Sequence, residues 1–348
     1  MADLLPQCLI HKILCMHSFK RAAQLSILSK TWLQAWLTIP NLSFSLGYLE
    51  HHMKKVMDNI MERYRDQKIL IEKLDLSYSI RSNEFFPLFD KWLDIALQNG
   101  VKYLVFRVSS HKAYPLPMLT ILATKSLREL VLTGCELYCD SSSSGGAVNC
   151  SSLRKLSLTR VDLGENTLQI LLNSCLFIDT LILDYCPWLK KIEILNNLPK
   201  IKSVSIRHSD QLQLVKIEAP SLEHLYYFTG AEKFCIDAPN LVSWEYTGFK
   251  FPATFLDANL QRSCYPKRFV LDSTSEIIAD FMDVLMHMMR SSYSTSRMHR
   301  RQLKEVKAYK FDWENQRWHS DPMELGSGRK VIRDDNDKFC FLLNWSCN

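Results

Sequence analysis

The 348 residues include 51 Leu against only 10 Gly, about twice the usual share of Leu and less than about half the usual share of Gly. Collagen-like, disordered and linker chains need the reverse, and barrels closed by many tight hairpins draw on Gly at turn after turn. Lys and Arg outnumber Asp and Glu by 43 to 37, a net charge of +6 that over this length does not point to nucleic acid. The eleven Cys follow neither a metal-knuckle spacing nor a compact secreted framework, which predicts reduced thiols in the cytoplasm or nucleus. Leu4 to Met16 imitates a signal sequence, but Asp3 replaces the basic leader and Pro6 and Lys12 interrupt the run. No segment approaches the roughly 18 apolar residues of a membrane helix.

Leu5, Leu9, Ile10, Ile13 and Leu14 recur on one side of a helix entered through Pro6. A second helical stripe runs through Leu25, Leu28, Trp32, Ala35 and Trp36 and stops at Pro40. Two short helices bury little by themselves, so their apolar stripes need the rest of the chain or a partner. Leu5-Pro6-x-x-Leu9-Ile10-x-x-Ile13-Leu14, then Ser26-Ile27-Leu28-Ser29-Lys30-Thr31-Trp32, then Trp36 and Pro40-Asn41-Leu42-x-Phe44 resemble the F-box of plant F-box/leucine-rich-repeat proteins. The resemblance implies docking on the small adaptor of a Skp/cullin/F-box ubiquitin ligase through Leu5, Pro6, Leu9, Ile10, Ile13, Leu14, Leu28, Ser29 and Lys30, with Trp32 and Trp36 structural. His17 stands where the family carries an apolar residue and Arg21 where it often carries an acidic one. A buried, unsatisfied His costs about 1–3 kcal/mol, so these two departures predict weakened docking.

Further on, apolar residues recur at helical spacing from Leu49 to Tyr64 and from Phe89 to Leu97, the latter ending at Asn99-Gly100. Between and beyond them the chain repeats itself. Ser126-Leu127-Arg128-x-Leu130-x-Leu132-Thr133 returns downstream as Ser152-Leu153-Arg154-x-Leu156-x-Leu158-Thr159. Val215 to Tyr227 returns, after a shorter step, as Phe234 to Tyr246. Steps of 26, 26, 25 and 23 from Leu104 to Leu130, Leu156, Leu181 and Val204 fall in the range of a leucine-rich repeat, with weaker members at Leu74 and Leu104. Alternate residues of each short strand enter a common core, and stacked strands extend it. Leu168, Leu171 and Leu172 read as a return helix, and Cys175 and Cys186 as small buried hydrophobes. After Leu181 strand-like triplets come every 10–12 residues, which predicts two strands per turn. The Ser141–Gly146 tract reads as a flexible connection.

From about Arg262 the pattern changes. Ser275 is read as the N-cap of a helix to Arg290 with Ile277, Ile278, Phe281, Val284, Leu285 and Met288 on its apolar side. Strands follow at Leu303–Phe311 and Phe339–Trp345, separated by a turn near Gly326–Gly328. Arg297, His299, Arg300, Arg301, Lys304, Lys307 and Lys310 form the one basic run, read as a solvated, locally disordered connector, with engagement of nucleic acid or nuclear import as the alternative, and Tyr309, Trp313 and Trp318 read as packing residues.

The expected fold class is α/β: a three-helix-type F-box over residues 1–45, a helical linker and N-terminal cap with a first irregular repeat over 46–100, an irregular, partly β-rich leucine-rich-repeat solenoid over 101–260, and a C-terminal α+β cap over 261–348. No GxSxG, HExxH, Walker loop or Rossmann fingerprint is present, so a non-catalytic receptor without cofactor is expected. Its partners would be a Skp-type adaptor, through it a cullin ligase, and a target protein held on outward positions: Lys155, Asp184, Glu193, Arg207, Lys216, His224, Tyr226 and Glu245, beside Glu129, Ser157, Thr180 and Ser205. Neither a membrane nor nucleic acid is expected. An interaction module outside any ligase is one alternative. Another is a hormone-sensing receptor, for whose basic pocket floor only Arg207 and Lys216 offer themselves.

Overall fold

Leu104, Leu130 and Leu156, evenly spaced along the sequence, stand directly opposite one another on neighbouring parallel strands. The sequence repeat is therefore the strand register. The computed structural model describes residues 5–46, 54–79, 84–110, 112–138, 150–208, 211–228, 231, 233–248, 263–264, 266–290, 303–323 and 337–345. Leu49, Met53, the Ser141–Gly146 tract, Arg297, His299, Arg300, Arg301 and the Gly326–Gly328 turn lie outside them. The chain divides into two units, Met1–Leu163 and Gly164–Asn348.

The first unit opens with α1 (Gln7–Cys15), α2 (Phe19–Leu25), a single 3-10 turn over Ser26–Leu28 and α3 (Lys30–Leu37). Where one stripe was expected from Leu25 to Trp36, Ser29 divides it. Its backbone is extended, and its hydroxyl accepts from Trp32 N at 3.3 Å, as an N-cap requires. Ser18 starts α2 in the same way, on Arg21 N. Then follow β1 (Asn41–Leu46), α4 (Lys54–Asp66), β2 (Lys73–Tyr78), α5 (Phe86–Gln98), β3 (Tyr103–Val108), β4 (Tyr114–Pro117), α6 (Met118–Leu122), β5 (Glu129–Thr133), β6 (Cys135–Tyr138) and β7 (Lys155–Thr159). β1, β2, β3, β5 and β7 form one parallel run in that order, and β4 pairs with β6. Leu74, Leu104, Leu130 and Leu156 make a buried ladder through it. Asn99, closing α5, ties that helix to α4 by donating to the carbonyls of Tyr64 at 2.8 Å and Ile69 at 2.7 Å.

In the second unit α7 (Glu165–Ser174) is followed by β8 (Thr180–Asp184), β9 (Lys191–Leu195), β10 (Ser203–Arg207), β11 (Leu214–Glu218), β12 (His224–Phe228), β13 (Lys233–Ala238), β14 (Ser243–Thr247), β15 (Ser263–Cys264) and β16 (Arg268–Ser273). Strands alternate between two parallel sheets: β8, β10, β12, β14 and β16 form the main one, and β9, β11, β13 and β15 the second. Two strands per turn is thus the observed pattern. α7, the last helical return before it, lies against the edge strand β9, and Gln169 Nε2 donates to the Glu193 carbonyl at 2.8 Å, satisfying part of an otherwise open edge. The inward residues of both sheets meet in one core, as in the contacts of Phe234 with Tyr227 and Trp244 at 4.7 and 5.4 Å. Cys175 and Cys186 are buried in the repeats.

The main sheet continues through α8 (Ser275–Arg290), β17 (Leu303–Asp312), β18 (Arg317–Trp318) and β19 (Asp337–Trp345), with β16, β19 and β17 antiparallel neighbours. The helix starts one residue earlier than the cap reading placed it, since Ile278 N already bonds the Thr274 carbonyl at 3.1 Å. Ile277, Ile278, Phe281 and Leu285 are buried, as is Met282. Phe281 closes the core between Phe269 and Phe341 at 4.5 and 5.1 Å.

Candidate interaction surfaces

The helical module of the first unit has two distinct sides. Ile10, Leu14, Ala22, Trp32 and Ala35 are buried within it, while Leu5, Pro6, Leu9, Leu28 and Lys30 are exposed and Ile13 and Ser29 are half-buried. Ile10 and Leu14 therefore drop out of the expected docking set: they hold α1 on the module instead of facing outward. Ser29 acts first as the cap of α3. Three apolar residues outside the expected docking set are also exposed: Met16 at 83%, Ile27 at 86% and Leu33 at 40%, beside Leu28 at 54%. Ile27 and Leu28 are turned out by the 3-10 turn, which helical periodicity could not reveal. His17 is exposed and carries no burial penalty, contrary to the expectation. Arg21, also exposed, donates to Gln24 Oε1 at 2.9 Å.

The expected target-binding residues do not form one surface. Asp184, Arg207, His224, Tyr226 and Glu245 share the outer face of the second unit's main sheet, by strand alternation and by the pairings Asp184 with Arg207 and Tyr226 with Glu245. Glu193 and Lys216 sit on β9 and β11 of the other sheet, opposite each other. Their charges are already engaged, with Lys191 at 3.0 Å and Glu218 at 2.8 Å respectively. Lys155 belongs to β7 of the first unit, 3.6 Å from Glu129. Arg207 and Lys216 lie on different sheets and cannot make one basic floor, which removes the support for a hormone pocket. Ser157 and Ser205, expected outward, are buried below their neighbours' side chains.

On that outer face the groups are tied to one another. The Arg207 guanidinium lies over the Tyr226 ring at 4.5 Å, and the Tyr226 hydroxyl donates to Glu245 Oε1 at 2.5 Å. Burial and the Glu245 carboxylate push the Tyr226 phenol up to about 12. Lys338 of β19 donates to the same carboxylate at 2.9 Å and approaches Asp272 at 3.9 Å. Burial raises Asp272 above the usual carboxylate range against the pull of Lys338. Along the strand ends Tyr185 stacks on His208 and Phe228 meets His208 at a tilt of 44°, with centroids 4.2 Å apart at each step, and Asp184 meets His208 Nδ1 at 3.0 Å. Opposite charges cancel across this surface, and its polar ends are held by partners, which suits recognition by shape and not electrostatic steering.

Residues 60–264, more than half of the chain, match the family described as At1g61320/AtMIF1, LRR domain. The chain belongs to this leucine-rich-repeat family. It is similar to the F-box protein At5g03100 of Arabidopsis thaliana, 27% identical over 225 residues that cover 64% of this chain and 67% of that one. From the same plant come the F-box/LRR-repeat protein At3g03360, 24% identical with 66% and 47% covered, and the FBD-associated F-box protein At3g52670, 26% identical with 70% and 58% covered. The chain spans about half to two thirds of the length of these relatives. Family match and relatives together place it among the plant F-box/leucine-rich-repeat proteins, the group its opening motif and repeats resemble.

Within this leucine-rich-repeat member, no group of His, Cys, Asp and Glu among the described residues is arranged to hold a metal ion. No described helix is long and apolar enough to cross a membrane. Of the tail aromatics read as packing residues, Trp313 is 49% exposed.

Proposed function

We propose that the chain is the substrate-receptor subunit of a Skp/cullin/F-box ubiquitin ligase, with the helical module docking on a Skp-type adaptor and the outer face of the repeats holding a target protein. One observation carries this reading: Leu5, Leu9, Met16, Ile27, Leu28 and Leu33 are all exposed within one short helical module. Apolar residues so concentrated mark an interaction surface. Relatives named for an F-box support the same reading. The receptor then works by holding target lysines at high local concentration near a charged conjugating enzyme, leaving bond-making to its partners, in the cytoplasm or nucleus.

Co-expression of the full chain with a Skp-type adaptor, followed by gel filtration, tests the docking half. The two are expected to co-elute, and the double substitution Leu9→Asp with Leu28→Asp to abolish co-elution while leaving thermal unfolding unchanged, because both positions are exposed. Separate elution of the unsubstituted pair overturns the reading.

A further inference from the structure

The repeat that sets the strand register in the first unit also sets a row of charge. Lys102, Arg128 and Arg154 each stand just before a strand, β3, β5 and β7 in turn. Backbone bonds hold them in step: Arg128 N donates to the Lys102 carbonyl at 2.8 Å, and Arg154 N to the Arg128 carbonyl at 2.7 Å. Adjacent strands lie about 4.8 Å apart, so three cationic residues line one rim of the sheet within about 10 Å. Arg128 and Arg154 are exposed, as is Lys125, three residues before Arg128.

The fold itself does not demand positive charge at this position. In the second unit the same bonds run from Lys202 N to the Asp179 carbonyl at 2.8 Å, from Glu223 N to that of Lys202 at 2.9 Å and from Val242 N to that of Glu223 at 2.8 Å. The equivalent row there reads Asp179, Lys202, Glu223, Val242; its signs alternate, and Lys202 pairs with Glu223 at 3.1 Å. Like charges set side by side, as in the first unit, cost stability. The acids beside that row do not relieve it, because Glu72 is taken by Lys102 at 3.1 Å and Glu129 by Lys155 at 3.6 Å. Arg154 is oriented by donating to the carbonyls of Ser151 at 3.0 Å and Leu153 at 3.2 Å. Arg128 and Lys125 have neither an ion pair nor a side-chain hydrogen bond among the described residues.

We propose that this rim is a docking site for a short acidic segment of a partner protein, with two or three Asp or Glu side chains meeting Arg128, Arg154 and Lys125. Charge complementarity selects the occupant. A guanidinium presents a planar fork of donors that matches a carboxylate two bonds at a time, and incoming carboxylates remove the repulsion along the row. Nucleic acid fits less well. It carries roughly one charge for each 1.7 Å of duplex and would press phosphates against Glu72 and Glu129, whereas two or three carboxylates match the cations and leave both Glu pairs intact. The inference deepens the receptor reading and rests on it for one point, that the acidic segment is the target's handle. Binding of the segment does not require the adaptor.

Fluorescence anisotropy of a labelled hexaglutamate peptide with the full purified chain tests the proposal, with a Gly-Ser peptide of equal length and a single-stranded oligonucleotide of equal charge as the other probes. Saturable binding of hexaglutamate is expected at low salt, weakening as salt is raised. Arg128→Glu should weaken it about tenfold or more, and Arg128→Lys, which keeps the charge and loses the fork, by a smaller factor. Both variants should keep cooperative thermal unfolding, since the side chain is exposed. Lys202→Glu makes the equivalent position in the second unit acidic and should leave binding unchanged. No binding of hexaglutamate, an equal loss in Arg128→Glu and Lys202→Glu, or Arg128-dependent binding of the oligonucleotide tighter than that of hexaglutamate overturns the proposal. Lost hexaglutamate binding with adaptor co-elution intact defeats this inference alone; separate elution from the adaptor with hexaglutamate binding intact defeats the receptor reading alone.

Discussion

A Cβ on Gly134 would collide with the Val108 carbonyl oxygen, and the residue has φ +68°. Arg160, Tyr185 and His208 occupy the same position, just after a strand, with φ near +50°. The left-handed conformation alone is therefore tolerated, at about 1–2 kcal/mol for each residue. Gly134 differs because a neighbouring strand end closes over it. Gly134→Ala is expected to destabilise the chain by about 2–4 kcal/mol, read as a lower urea midpoint at unchanged m-value. Single residues were legible in the sequence when their role followed from periodicity, as with Leu130 or Cys175. They were illegible when it depended on which way a turn aimed them. His17 and Ile27 both sit in plausible apolar positions, and both are exposed because helices α1 to α3 are broken by caps at Ser18 and Ser29.

Helices α4 and α5 are clamped by one carboxylate. Asp58 takes Lys91 Nζ at 2.9 and 3.1 Å and the Trp92 indole N–H at 3.0 Å, and Lys91 also pairs with Glu62. Burial works to raise Asp58, but the hydrogen bonds from Lys91 and Trp92 and the Lys91 charge bring it below its ordinary value of 3.8. A lowered carboxylate stabilises the fold above its unfolded-state value, and that contribution is lost as the pH falls through the folded one. Asp58→Asn should therefore cost on the order of 1–2 kcal/mol at pH 7, and the gap from the unsubstituted chain should narrow as the pH falls below the ordinary carboxylate value of 3.8; urea titrations at pH 7 and in acid check both. The elements that repeat were readable, down to the switch to two strands per turn. β4 and β6 were not. Tyr114-Pro115-Leu116-Pro117 carries two residues without N–H, which argues against a strand, yet it pairs with β6.

At the scale of the second unit, the parallel repeats would end on an open strand, β16, were it not covered by antiparallel β19 and then β17. Lys304, Glu305 and Lys307 on β17 are suited to blunt the new edge. A chain ending at Arg290 exposes the β16 edge and the side of Phe281 that meets Phe341. It is expected to elute as soluble oligomers or aggregates on gel filtration, where the full chain stays monodisperse. The candidate target face shows where sequence reading stops. Alternation put Ser157 and Ser205 outward although both are buried, and a linear pattern does not say which of two sheets a strand joins, so it merged Lys216 and Glu193 with Arg207.

The coincidence of repeat length with strand register has a further consequence, for how such a chain changes over generations. Leu225 sits opposite Trp244 and Tyr227 opposite Tyr246, each pair one repeat length apart along the chain. Cutting out or copying one such length rejoins strand to equivalent strand, with inward residues still inward. A gene encoding this fold can thus gain or lose whole turns by unequal exchange, and lengthen or shorten its binding face without having to reinvent its core.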